Sequence, residues 1–92
     1  MSVEIFTSIA NSSLFAKKYT QYIKLMLDIK KINYVVYDIG KDENKREEMI
    51  SRSQRSSFPQ LHVNGQFIGE WKEIEDLNEL EDLDPILGIE DN

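Results

Sequence analysis

Asn64-Gly65 lies between two β-prone runs, Gln60-Leu61-His62-Val63 and Gln66-Phe67-Ile68. This dipeptide is the strongest short-range hairpin cue, because a type I′ turn needs positive φ at both central residues. It therefore predicts two antiparallel strands joined by a tight turn. Pro59 stands just before the first of them, and a residue with no N–H is tolerated where a strand begins.

The remaining elements are read outward from that hairpin. Val3-Glu4-Ile5-Phe6-Thr7 is short, apolar and β-prone, and predicts a central strand. Asn11-Ser12-Ser13 is a turn or helix-cap cluster. Phe15, Tyr19, Tyr22, Ile23, Met26, Leu27 and Ile29 recur at helical spacing, with Lys17, Lys18, Lys24, Lys30 and Lys31 filling the other face. Asn33 is the expected end of that helix. Tyr34 to Ile39 predicts a second strand, closed by Gly40. Asp42 to Arg52 reads as a charged surface helix, with Met49 and Ile50 as its few apolar contacts, and Ser53 to Ser57 as a polar loop. Glu70 to Glu81 predicts a helix with Ile74, Leu77 and Leu80 facing inward. A last apolar turn runs from Leu83 to Ile89. The order is β-α-β-α-β-β-α. Strands one and two, joined through a helix, are expected to be parallel. The expected fold class is α/β: a mixed four-stranded sheet with helices on both faces.

Composition narrows the chemistry. The 92 residues predict one domain over 1–89 and a disordered acidic tail over 90–92. The chain has no cysteine, so thiol–disulfide exchange and cysteine-nucleophile chemistry are closed to it. It has one histidine, His62, which alone builds no zinc site, and no metal site is expected. His62 alternates with Leu61 and Val63 and is expected on the solvent side of the sheet or covering it. No leader peptide is expected at Met1-Ser2-Val3-Glu4, and no stretch is long and apolar enough to span a membrane. Absence of cysteine fits a cytosolic or nuclear protein, and a cytoplasmic one is expected.

The net charge of −6 is unevenly distributed. Residues 70–92 hold ten acids and one base, Lys72, whereas residues 1–69 hold ten bases and seven acids. The acidic third argues against nucleic acid as a partner, and reads as a solvated face or as an acidic docking surface. The high net charge makes a monomer the expected state.

The order of elements, with Phe58-Pro59-Gln60 ahead of Val63-Asn64-Gly65-Gln66-Phe67-Ile68-Gly69, resembles the glutaredoxin form of the thioredoxin fold. The resemblance implies a thioredoxin-like sheet, a cis peptide bond at Pro59 and a cleft beside it. It also implies Cys-Pro-Tyr-Cys at the start of the first helix, where this chain reads Asn11-Ser12-Ser13-Leu14. No serine takes over, because a hydroxyl nucleophile needs an adjacent base and none neighbours it in sequence. The loss is similar to that in the SH3-domain-binding glutamic-acid-rich-like proteins, small glutaredoxin-like domains that lack the catalytic cysteine pair. The likeness rests on Ser8 to Ser13, Lys30-Lys31-Ile32-Asn33-Tyr34, Asp38-Ile39, Arg46-Glu47-Glu48-Met49, and Pro59-Gln60 through Gly69-Glu70-Trp71. It implies a non-catalytic adaptor that binds other proteins. Arg55-Ser56-Ser57-Phe58-Pro59 holds no PxxP, so binding to SH3 domains through a polyproline helix is not expected.

Two candidate surfaces follow. A remnant glutathione cleft would use Asn11, Phe58, Pro59, Lys72 and Glu73, with no cofactor expected to be held. A protein-binding surface would use Asn11, Ser12, Ser13, Phe58, Pro59, Glu70 and Trp71, with Phe58 and Trp71 forming one apolar patch if both are exposed. Trp71 otherwise packs on the hairpin. The alternatives are a glutathione-binding protein without thioltransferase activity and a structural subunit of a larger assembly.

Overall fold

A computed structural model describes residues 1–10 and 13–89. Asn11 and Ser12, and the tail predicted over 90–92, lie outside the described residues. Four strands form one sheet in the order β2-β1-β3-β4: β1 Val3–Thr7, β2 Val35–Asp38, β3 Gln60–Val63 and β4 Gln66–Glu70. β1 is parallel to β2, with Ile5 opposite Val36. It is antiparallel to β3, with Ile5 opposite Leu61. The helices are α1 Leu14–Ile29, α2 Glu43–Ser53, α3 Trp71–Glu79 and α4 Leu83–Ile86.

Side chains alternate across a strand, so β1 serves two cores. Val3 and Ile5 join Ile23, Met26, Leu27, Leu61, Val63, Ile74, Leu83 and Leu87 under α1, α3 and α4. Phe6 joins Ile39 and Met49 under α2. Every residue of β1 is buried, as a sheet covered on both sides requires.

The hairpin forms as the sequence demands. Asn64 has φ 52° and Gly65 φ 79°. A register shift between Leu61 and His62 leaves Ile68 as an extra residue in β4. Gly65→Ala is expected to cost about 1 kcal/mol, because a Cβ disfavours positive φ even where the space around it is open. Thermal unfolding of that variant checks the estimate.

Three expectations are corrected. α1 stops at Ile29 rather than at Asn33. Lys31 takes φ 60°, its N–H reaches the Asp28 carbonyl, and the Ile32 N–H reaches the Leu27 carbonyl at 2.9 Å. That closes the helix as a Schellman turn with lysine where glycine is usual. α3 ends in the same way at Glu81, also at φ 60°. Leu80 is therefore the C-cap of α3 and is exposed instead of facing inward. His62 is completely buried, because the face it points to is covered by α2 and by aromatic rings, not by solvent.

Candidate functional site

The resemblance would put a cleft between the start of α1, the loop before β3 and the start of α3. Ser13 caps α1: its hydroxyl accepts the Ala16 N–H at 3.1 Å, which satisfies one of the free donors of the first turn. Leu14, which follows it, is exposed. The Phe58–Pro59 peptide bond is cis, as expected. Pro59 is buried at the start of β3.

The start of α3 is closed by its own carboxylates. Glu70 and Glu73 form a capping box, each accepting a backbone N–H of the other's end. The Glu70 N–H donates to Glu73 Oε1 at 3.2 Å. Arg55, in the loop before the proline, clamps the pair. Its guanidinium donates to Glu70 Oε2 at 3.0 Å and to both oxygens of Glu73 at 2.5 and 3.4 Å. The hydrogen bond from Arg55 holds the Glu73 carboxyl below its ordinary range, and the same partners raise Arg55. Gly69 makes this packing possible: a Cβ there would lie 2.7 Å from the Glu73 Cβ. Arg55 was not among the residues singled out from sequence. A lone base in a polar loop carries no local signal, and only the fold brings it to two glutamates 15 and 18 positions away.

The two aromatic candidates do not form one patch. Phe58 turns to the α2 side and packs against Phe6, Ile39 and Met49. Trp71 packs on α1, not on the hairpin. Its ring stacks on Tyr19 with centroids 3.9 Å apart and planes 16° apart, and meets Phe15 edge-on at 5.7 Å. Phe15 in turn contacts Tyr19 at 4.6 Å. Phe15, Tyr19 and Trp71 make an aromatic platform beside the α3 N-terminus. Phe15 is 51% exposed and Trp71 is partly exposed. The Lys72 ammonium lies 5.7 Å from the Trp71 centroid, and the side chain is exposed. Of the sequence-derived candidates, Glu70, Trp71, Lys72 and Glu73 are thus adjacent at the start of α3, Ser13 caps α1, and Phe58 faces elsewhere.

A buried polar chain runs behind the cleft. The Gln60 amide donates to the Ser57 and Arg55 carbonyls at 2.9 and 3.3 Å. Its oxygen therefore faces His62 Nε2, 2.8 Å away, and that ring nitrogen carries the hydrogen. His62 Nδ1 is buried with no hydrogen-bond partner among the described residues. Phe6 and Phe67 rings lie 4.5 and 5.6 Å from the imidazole. Burial foremost, then the nearby Arg52 charge, pushes the His62 pKa down to about 4. A histidine this hard to protonate, with its free lone pair in an apolar wall, is a packing residue and not an acid–base group in the cleft. Among the described residues no group of three or more His, Cys, Asp or Glu side chains is placed to hold a metal ion. No described helix is long and apolar enough to cross a membrane.

Residues 18–68, more than half of the chain, match the family model described as glutaredoxin. The chain is 33% identical to glutaredoxin 3 of Escherichia coli K12 over 81 residues, which covers 85% of this chain and 98% of that protein. The chain belongs to the glutaredoxin family. It is 30% identical to human glutaredoxin-3 over 93 residues, 92% of this chain but 28% of the human protein. The glutaredoxin fold is equally plain in three dimensions. The Candida albicans actin interacting protein Aip5 superposes with a TM-score of 0.82 at 28% identity, over 94% of this chain and 87% of that one. The holo form of poplar glutaredoxin C1 superposes with a TM-score of 0.72 at 17% identity, over 94% of this chain and 82% of that one, a likeness of fold alone. This glutaredoxin-family domain has the cis-proline, the hairpin and a glycine, Gly69, near the end of β4, and has no thiol anywhere in its sequence.

Proposed function

We propose that this domain is a non-catalytic protein-interaction module, of the kind represented by the SH3-domain-binding glutamic-acid-rich-like proteins. The observation that carries the reading is the half-exposed platform of Phe15, Tyr19 and Trp71 beside the start of α3, in a domain that has no sulfur nucleophile. Rigid aromatic side chains supply large contact area at low entropic cost and dominate binding energy at protein interfaces. The name of the structural relative Aip5, an actin interacting protein, supports protein binding as the mode of action.

Glutathione is disfavoured as a ligand by the capping box. The start of a helix attracts a carboxylate because its N–H groups are free and its dipole end is positive. Here Glu70 and Glu73 already take that place and Arg55 locks them there. A peptide carboxylate arriving at α3 meets two negative charges in place of open donors.

The reading is tested by capture from native lysate with the wild-type chain and with Phe15→Ser and Trp71→Ala variants, alongside calorimetry with glutathione. Partners held by the wild type and lost from both variants support the module. Binding heat at millimolar glutathione supports the small-molecule alternative instead. Reduction of a mixed disulfide by the purified chain refutes the proposal outright.

A further inference from the structure

A second apolar surface lies further along α1, beyond the aromatic platform. Tyr22, Leu25, Met26 and Ile29 recur at i, i+3, i+4 and i+7, so they share one side of the helix. With Lys30 and Asn78 they line a groove of about 230 Å³ between α1 and α3. Leu25 is 60% exposed and Ile29 71% exposed. Large aliphatic side chains left this open in a row mark an interaction surface more often than a lone exposed leucine does.

The rim of the groove is acidic. Glu75 and Glu79 flank the groove-lining Asn78 on α3, and burial foremost, then the charges of these glutamates, raises the phenol pKa of Tyr22. Among the described residues neither glutamate has an ion-pair partner. The cation at the groove, Lys30, is already paired with Asp84 at 2.5 Å. Residues 71–89 hold seven acids and one base. Four of those acids, Glu73, Glu75, Asp76 and Glu79, stand on α3, which forms one wall of the groove.

Those features select among occupants. At about 230 Å³ the groove is smaller than the ~300–1,000 Å³ typical of small-molecule sites. A lipid surface is anionic and is repelled by the rim. A second copy of the chain would bring the same glutamates against each other. An amphipathic helix with apolar anchors and a basic flank satisfies both the aliphatic floor and the acidic wall.

We propose that the α1–α3 groove docks a cationic amphipathic helical segment of a partner protein. The proposal rests on reading the domain as a protein-interaction module, and names the chemistry of what it binds. The probe is a labelled synthetic helix of leucine and lysine, followed by fluorescence anisotropy with the full 92-residue chain. A counterpart with glutamate in place of lysine is the control. The lysine helix binds and the glutamate helix does not. Leu25→Ser/Ile29→Ser weakens binding by roughly tenfold, since each anchor loses apolar burial. Both sites are exposed, so the variant keeps the wild-type denaturation midpoint. Glu75→Gln/Glu79→Gln weakens binding severalfold and flattens its salt dependence.

Equal binding of both helices overturns the proposal, as does undiminished binding to the Leu25→Ser/Ile29→Ser chain. Sedimentation supplies a further check: a wild-type dimer that this variant returns to monomer assigns the groove to a second copy and also overturns it. Failure of the lysine helix, with lysate partners still captured through Phe15 and Trp71, removes the groove assignment and leaves the module reading standing. Helix binding intact, with no lysate partner dependent on Phe15 and Trp71, removes the aromatic platform as a binding site and leaves the groove assignment standing.

Discussion

Lowering the pH from about 6.5 to about 4 is expected to cost the domain about 3 kcal/mol of folding stability through one residue, His62. In the unfolded chain the imidazole gains its proton near pH 6.5. In the folded chain it stays neutral down to about pH 4, because the ring is buried and Arg52 opposes a second positive charge. Between those values the unfolded state binds more protons than the folded state, so acid favours unfolding. Above the window both states are neutral and the effect vanishes. Below it both are protonated and the loss has reached its full size. A new proton on Nδ1 also finds no acceptor among the described residues, as that nitrogen has no partner there. The carboxylates with lowered values, Glu48 and Glu73, add their own acid losses only at and below the ordinary carboxylate range. Urea midpoints measured across the series separate the two. The wild type falls steadily below pH 6.5, and His62→Gln, which retains an amide donor toward Gln60, stays level until the carboxylates titrate. A wild-type midpoint that holds constant from pH 6.5 to 4.5 would sink the idea.

Removing the Arg52 guanidinium is expected to destabilise the fold by about 3 kcal/mol. Arg52 reaches from α2 along the sheet face that α2 covers to Glu4 of β1, 3.1 Å away, and also pairs with Glu48. The Glu4 side chain is only 10% exposed. Arg52→Met preserves most of the aliphatic stem but strands that carboxylate against Phe6 and the α2 helix. A buried charge without its partner costs more than the pair itself contributes. The double variant Glu4→Met/Arg52→Met removes both charges and is expected to recover most of the loss. Guanidinium denaturation of the single and double variants closes the cycle. Equal destabilisation of Arg52→Met and the double variant would show that packing, not charge, holds this contact.

The parts of this domain that were legible in its sequence are those governed by local rules. The Asn64-Gly65 turn, β1 and the 3.6-residue stripe of α1 needed only near neighbours to be read. The ends of α1 and α3 were misplaced because lysine and glutamate occupy the left-handed positions where glycine normally announces a stop. The burial of His62 was hidden for another reason. Strand alternation tells which face a residue takes, but not whether a helix will cover that face. The cleft was legible only in outline. Phe58 turned away to the α2 side, and Arg55 found Glu70 and Glu73 through a contact that no spacing in the chain announces.

The stacking of Trp71 on Tyr19 has a practical consequence. Trp71 is the one indole in the chain, and it spans the seam between α1 and α3 with its ring 3.9 Å from the tyrosine centroid. Any event that parts those helices exposes the ring to water, and any segment that settles along α1 changes what lies beside it. The protein thus carries its own optical gauge. Its emission reads the parting of α1 from α3, with no dye attached.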